Sequence, residues 1–207
     1  MPKTFLIAIF AVIAALFGPS LNAQVRDSKP VPVQLSLTEE MIERGVHGTI
    51  IFTATVDAQN KIAALDVDQG SGSVELDEYA AEKLMGGGVA SDLFDPDVRT
   101  LQLEVELYSY DLGLNFGGDY FCEQAVRDHD WFRTIKPDEE FDRGRFYNFV
   151  GGMALISQRK EIHHLRKPEN RDAAWRVALQ ACRDRPDEPF MGLVIRAGME
   201  LEAQKND

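Results

Sequence analysis

The hydrophobic periodicity changes part-way along the chain, and this change most limits the folds that it can adopt. In the stretches 49–67 and 100–111, apolar and polar residues alternate, which is the period of a half-buried β-strand. From Gly117 onward, apolar residues recur at every third or fourth position, which is the period of an amphipathic helix. The sequence therefore predicts an α+β protein in which a sheet domain, residues 35–112, precedes an all-helical domain, residues 113–207.

The sheet domain is predicted to follow the order helix, strand, strand, helix, strand. Ser36-Leu37-Thr38-Glu39 matches a capping box at the start of a short helix. Polar residues 57–60 separate two alternating stretches, as the turn of a hairpin does. We therefore expect a three-stranded antiparallel sheet, with strands near 49–56, 62–67 and 100–111.

Several short motifs within residues 35–112 occur in an order that is known from one protein family. These motifs are Gly45-Val46 and Gly48, Val56-Asp57, Ser71-Gly72, Leu76-Asp77 with Ala80-Ala81, and Phe94 with Pro96. In these residues and in its alternating last strand, the domain resembles the C-terminal domain of the TonB energy-transducer family. The resemblance implies a small sheet whose outer strand accepts an extended peptide from a partner by strand addition.

The chain departs from that family in the parts that transduce energy. Leu37-Thr38 stands where the family usually has a Tyr-Pro pair, no long proline-rich spacer is present, and the apolar N-terminal run has no Ser or His able to couple to a proton channel. We therefore expect peptide binding without energy transduction. The resemblance assigns the backbone pairing to the strand Thr100–Asp111, with four outward side chains beside the peptide: Gln102, Glu104, Glu106 and Tyr108.

The helical domain is predicted to contain four helices and one disulfide. Four apolar stripes begin near Phe121, Phe146, Trp175 and Phe190. Cys122 and Cys182 are the only cysteines, and two cysteines in an oxidising compartment normally pair. Two free buried thiols are the alternative if the protein is not exported. In Cys122, Phe149–Gly152, Ala178-Leu179, Cys182 and Pro186, this half weakly resembles the HdeA-type acid-stress chaperones and the Rap1a-type immunity proteins of the periplasm.

The N-terminal segment has the three parts of a secretory signal peptide. Lys3 is the positive residue, the run 5–17 is apolar and uncharged, and Ala23 is a small residue at the end of the segment. We expect cleavage after Ala23, an extended leader at residues 24–34, and a periplasmic protein with no membrane span after cleavage. An uncleaved N-terminal anchor is the alternative reading.

The negative charge is concentrated in the first domain. Residues 33–112 contain 16 Asp and Glu against 4 Lys and Arg, whereas residues 113–207 contain 17 against 15. Phosphate binding needs clustered cations, so nucleic acid is not an expected partner. The basic stretch 159–185 could dock on the acidic domain, the acidic domain could instead recruit a cationic partner, or both could be ordinary surface charge.

No motif in the sequence predicts a metal, a cofactor or an enzyme. Asp66, Asp68 and Asp77 surround a glycine-rich turn, but the loop has Ser71 where an EF-hand needs Gly, so a solvated turn is expected. Adjacent residues of a helix point about 100° apart, so His163-His164 does not predict a shared metal.

The remaining candidates for chemistry have structural explanations at the sequence level. Asp128-His129-Asp130 lies in no recognisable catalytic setting, and a surface or capping role is expected for it. Trp131 and Trp175 fall on or beside apolar stripes, which favours core packing.

Two functions therefore remain open at the level of the sequence. The first is a non-enzymatic envelope protein whose TonB-like sheet binds a peptide segment of another envelope protein, with a homodimer through the edge strand as a further possibility. The alternative is an acid-stress chaperone or a toxin-immunity protein that acts through the helical domain. A third hypothesis, an enzyme, is not expected, because no feature of the sequence supports it.

Overall fold

The computed structural model describes residues 29–59, 61–87, 99–112 and 117–206. The predicted signal peptide 1–23, the first part of the predicted leader, 24–28, and the family motif residues Phe94 and Pro96 lie outside these ranges.

The described residues form four strands, six α-helices and one 3₁₀ helix. The first half contains β1 (Val31–Gln34), α1 (Glu39–Glu43), β2 (Gly48–Val56), β3 (Ile62–Gln69), α2 (Val74–Met85) and β4 (Thr100–Leu107). The second half contains α3 (Cys122–Ile135), α4 (Arg145–Ile156), the 3₁₀ helix (Lys160–Arg166), α5 (Pro168–Cys182) and α6 (Phe190–Asn206).

Side-chain caps explain where both helices of the first half begin. The Thr38 hydroxyl accepts a hydrogen bond from the backbone N–H of Met41 at 3.2 Å, so α1 begins at Glu39, three residues after the start of the predicted capping box. The Ser73 hydroxyl accepts from the N–H of Leu76 at 3.4 Å and starts α2. Each cap satisfies a backbone donor that has no partner within the helix.

The strands form one mixed sheet in the order β1-β4-β2-β3. β2 is antiparallel to both β3 and β4, whereas β1 runs parallel to β4. The α+β class is confirmed, but the prediction of a three-stranded antiparallel sheet is wrong. The predicted leader supplies the fourth strand, because its residue Val33 packs into the sheet core. Pro32 is compatible with this position, since a proline is tolerated in an edge strand.

β4 is an inner strand, which corrects the prediction that Thr100–Asp111 forms an outer edge. Residues Val31–Gln34 pair with Leu103–Glu106 on one side of β4, and β2 pairs with it on the other. The outer strands of the sheet are β1 and β3.

The sheet has one buried face and one open face. Side chains of β2 and β4 that alternate along each strand pack with α2 into the core of this half. This core includes Ile50, Phe52, Ala54, Leu103, Val105, Leu107, Leu76, Ala80 and Leu84. The intervening side chains, which include Thr53, Gln102 and Glu104, are half-buried on the opposite face. The alternation of the sequence is therefore reproduced by the structure.

The helical half surrounds a second core that is rich in aromatic rings. Phe146, Trp175 and Phe190 contact one another there, with ring centroids 4.9–5.9 Å apart. The predicted disulfide is present and joins Cys122 on α3 to Cys182 on α5. The prediction of four helices is incomplete, because the 3₁₀ helix lies between α4 and α5 and buries Ile162 and Leu165 in the same core.

Candidate functional site

Three of the four predicted binding residues lie together on the open face of the sheet. Gln102 donates a hydrogen bond to Asp68 at 3.0 Å, and Glu106 pairs with Arg145 at 3.4 Å. Glu104 lies between them on β4, opposite Ile51 of β2. These side chains belong to the inner strand β4, whose backbone is paired on both sides.

Tyr108 lies beyond the end of β4 and turns towards the helical half. Its hydroxyl is 3.1 Å from the Thr49 hydroxyl, and its ring centroid is 5.0 Å from that of Tyr110 in the helical core. Burial and the negative charge of Asp142 raise the pKa of Tyr108 to about 12. Tyr108 is therefore a neutral packing and hydrogen-bonding group at the junction between the two cores.

The junction is built around a tight approach between the end of α1 and helix α3. Gly45 has a φ of +74°, and a Cβ atom at this position would lie 2.9 Å from the carbonyl oxygen of Arg127. Only glycine meets both conditions at low cost. This approach places His47 between the halves, where its ring contacts those of Trp131 and Phe132.

The hydrogen-bonding geometry of His47 favours its protonated form. Nδ1 is 2.8 Å from the Gly45 carbonyl oxygen, which can only accept, and Nε2 is 3.5 Å from a carboxylate oxygen of Asp142. Both nitrogens therefore face acceptors. Burial by itself lowers the pKa of His47, but the hydrogen bond with Asp142 and the charges of Asp128 and Asp142 outweigh it, so the pKa is raised.

Asp128 is a buried acceptor, which corrects the predicted surface or capping role for this residue, whereas Asp130 is exposed as predicted. It is 3% exposed and accepts hydrogen bonds from the Ser109 hydroxyl and, at 2.9 Å, from the Tyr120 hydroxyl. The Arg127 guanidinium lies 3.3 Å away. The helical spacing of Asp128 from Ala125 and Phe132, which are both buried, was a signal that it lies on the buried stripe of α3.

His47, Asp128 and Asp142 line a cavity of about 40 Å³, together with aromatic side chains of the helical core. About 10–15 Å³ is enough for one water molecule, whereas sites for drug-sized ligands occupy about 300 Å³ or more. The cavity is therefore of the size that holds a few waters. The polar junction connects the two halves and offers no room for an organic substrate.

Replacing His47 by Gln should change stability in a pH-dependent way. Because the pKa of folded His47 is raised, its contribution is fully present below about pH 6.5 and is lost as the pH rises through the folded pKa. We expect H47Q to cost about 1.5–3 kcal/mol in mild acid, the usual contribution of a charged hydrogen bond, and less at about pH 8. Urea denaturation at several pH values measures this difference.

His129 provides a control of opposite sign for this experiment. Burial lowers the pKa of His129, so its neutral form is favoured in the folded state. The cost of H129Q should therefore grow as the pH rises through about 6.5. A cost of H47Q that is the same at every pH would contradict the proposed protonated state.

The other candidates from the sequence have structural roles in the described residues. Asp77 accepts from the backbone N–H and the hydroxyl of Ser71, at 2.9 and 2.7 Å, and holds the turn before α2. His163 lies 2.9 Å from the Ser157 carbonyl. Trp175 is buried in the helical core, whereas Trp131 packs against the sheet core and also lines an open groove. Within the described ranges, no three His, Cys, Asp or Glu side chains are grouped to hold a metal ion.

No helix within the described ranges is long and apolar enough to cross a bilayer. No protein-family model matches the chain, and neither a curated protein nor a solved structure matches it. The resemblance of residues 35–112 to the TonB C-terminal domain therefore stays a prediction that rests on the residues that carry it.

Proposed function

We propose that this chain is an exported, non-enzymatic binding protein whose sheet takes up an extended segment of an envelope protein by strand addition. The outer edge of β3 carries this proposal, because in the described part of the chain β3 pairs with β2 alone. A strand that is paired on one side leaves every second amide and carbonyl free to bind another chain. β3 is eight residues long, and its register shifts lie on either side of Ala64–Val67, so this regularly paired stretch is the part that it offers to a partner.

The side chains beside this edge suggest which segment it would bind. Asp66 is exposed, and Asp68 is held on the open face by hydrogen bonds from Thr53 at 2.6 Å and Gln102 at 3.0 Å. Val67, on the other face, is 53% exposed. We therefore propose a segment that alternates between an apolar residue, packed on Val67, and a cationic residue beside Asp66.

Charging the edge of β3 should weaken partner binding without unfolding the protein. A lysine on an edge strand opposes further pairing, so V67K should lower the affinity about tenfold. The matched control is M85K, because Met85 is 50% exposed and lies in the last turn of α2, where a cation is favourable. The measurement is the affinity of a partner captured from the envelope fraction, together with its cross-linking to a photoreactive residue at position 64.

Equal affinity of V67K and M85K for that partner would contradict strand addition at β3. A proline at Glu104 is not a suitable test, because β4 is paired on both sides and the substitution would break the sheet itself. A concentration-dependent dimer that V67K abolishes would instead indicate that the partner at this edge is a second copy of the chain.

The second candidate function is an acid-responsive chaperone that acts through the helical half. It is favoured by the ionisable contacts that join the two cores, which are His47 with Asp142 and Glu106 with Arg145. Strong acid neutralises carboxylates and would remove both contacts. This candidate requires apolar dye binding and suppression of client aggregation at about pH 3; failure of both would exclude it.

A further inference from the structure

Two large apolar side chains project from the C-terminal end of α4. Leu155 is 63% exposed and Ile156 is 78% exposed, and they are adjacent in the chain. Single exposed apolar side chains are common on protein surfaces. Adjacent exposed apolar side chains with polar residues around them are typical of a contact surface. We call the segment from Leu155 to Lys167 the basic tip.

The basic tip carries net positive charge close to these two residues in the sequence. Its four cations, Arg159, Lys160, Arg166 and Lys167, are all exposed, and its one carboxylate belongs to Glu161. The segment therefore has a formal net charge of +3, four cations less Glu161, in a chain whose total is −12.

Hydrogen bonds hold the basic tip in one shape. The Arg166 guanidinium donates to the carbonyl oxygens of Ala154 and Leu155, at 2.9 and 3.2 Å, and so satisfies the exposed end of α4. Ile162 and Leu165 anchor the 3₁₀ helix in the helical core. Arg166 is therefore held against the end of α4 that carries the apolar pair.

We infer that the basic tip docks on a membrane surface that carries anionic lipid headgroups. Apolar side chains that enter the boundary between headgroups and acyl chains, ringed by Lys and Arg, are the arrangement that binds such surfaces. The inference is independent of the proposed peptide edge, because β3 belongs to the other half of the chain. Docking would hold an exported protein at the membrane while the sheet half stays free to bind a partner.

Vesicle sedimentation with the purified full chain tests this inference. Binding to vesicles rich in phosphatidylglycerol should exceed binding to vesicles of phosphatidylcholine alone. It should fall as salt rises from about 0.01 M to about 1 M, because the Debye length shortens from about 30 Å to about 3 Å. Since every sample has the same N-terminal segment, any apolar contribution from that segment is common to both vesicle types and to all variants.

Variants separate the charged and apolar contributions. Each Lys or Arg near an anionic surface raises binding about fivefold, so R159Q combined with K160Q should lower the partition coefficient about 25-fold. I156E should also abolish most binding, whereas V74E, at a residue that is 72% exposed in the first turn of α2, should not. I156W should show a blue shift of its fluorescence when anionic vesicles are added.

Circular dichroism confirms that each variant is folded before the comparison is made. Equal binding to both vesicle types, or equal binding of I156E and V74E to anionic vesicles, would overturn the inference. Binding of the tip to an acidic protein with no preference for anionic vesicles would overturn it as well.

Discussion

Replacing Asp128 by Ala should destabilise the protein by about 3–4 kcal/mol, the range expected when one partner of a buried charged network is removed. The carboxylate is buried and accepts hydrogen bonds from Ser109 and Tyr120, while Arg127 lies beside it. Its loss leaves the Tyr120 hydroxyl without its acceptor inside the helical core. Chemical denaturation of the purified protein measures the change in the free energy of unfolding.

Asp130 is the matched control for this substitution. It lies two residues further along α3, is exposed, and pairs with Arg183 at 3.4 Å. Exposed ion pairs contribute about 0–1 kcal/mol, so D130A should cost less than about 1 kcal/mol. D128N should cost less than D128A, because an amide oxygen still accepts a hydrogen bond. If D128A and D130A had the same small effect, the buried network would not stabilise the fold.

Removing the disulfide should destabilise the protein by about 4 kcal/mol. Cys122 and Cys182 are 60 residues apart in sequence, and the chain-entropy model gives about this value for a loop of that length. Replacing both by Ala leaves no free thiol and no buried hydroxyl. A loss of this size is a large part of the about 5–15 kcal/mol that stabilises a typical domain.

The two tryptophans allow the effect to be located. Trp175 lies in the helical core, where the disulfide joins α3 to α5, whereas Trp131 packs against the sheet core. Single-tryptophan variants of the double-alanine protein should therefore show Trp175 responding at lower denaturant concentration than Trp131. Wild type treated with a reductant is the control and should behave in the same way. A midpoint unchanged by both treatments would contradict the prediction.

The position of β1 affects how the binding proposal is tested. The family resemblance points to the edge of β4 as the acceptor, and in the structure a strand from the same chain already pairs there. Pro32 and Gln34 of β1 lie beside Glu104 and Glu106, so the predicted side chains face a neighbouring strand of the same sheet. For this reason the experiments above are directed at β3.

Much of the architecture was predictable from local patterns. The alternation of Leu101, Leu103, Val105 and Leu107 predicted which face of β4 is buried, and all four are in the sheet core. The stripes that begin at Phe146 and Phe190 likewise predicted the inner faces of α4 and α6. The pairing of Cys122 with Cys182 was predictable because the chain has only these two cysteines. These features depend on neighbours in sequence, or on there being a single possible partner.

The sheet order and the junction could not be predicted in this way. Four residues of the leader form β1, because Val33 is buried in the sheet core beside β4. No local pattern in residues 31–34 indicates this pairing. The raised pKa of His47 likewise depends on Asp142, which lies 95 residues further along the chain. Such contacts join segments that are distant in sequence, and their free energy depends on burial and charge that exist only after folding.

The sequence by itself therefore determined most of the secondary structure, the buried faces and the disulfide, because periodicity and cysteine number are local or self-contained signals. Only the tertiary structure decided which strand is the free edge, which aspartate is buried and that the apolar pair Leu155-Ile156 stays exposed. Those outcomes depend on how non-adjacent elements pack, since packing sets the exposure of each group and the charges around it.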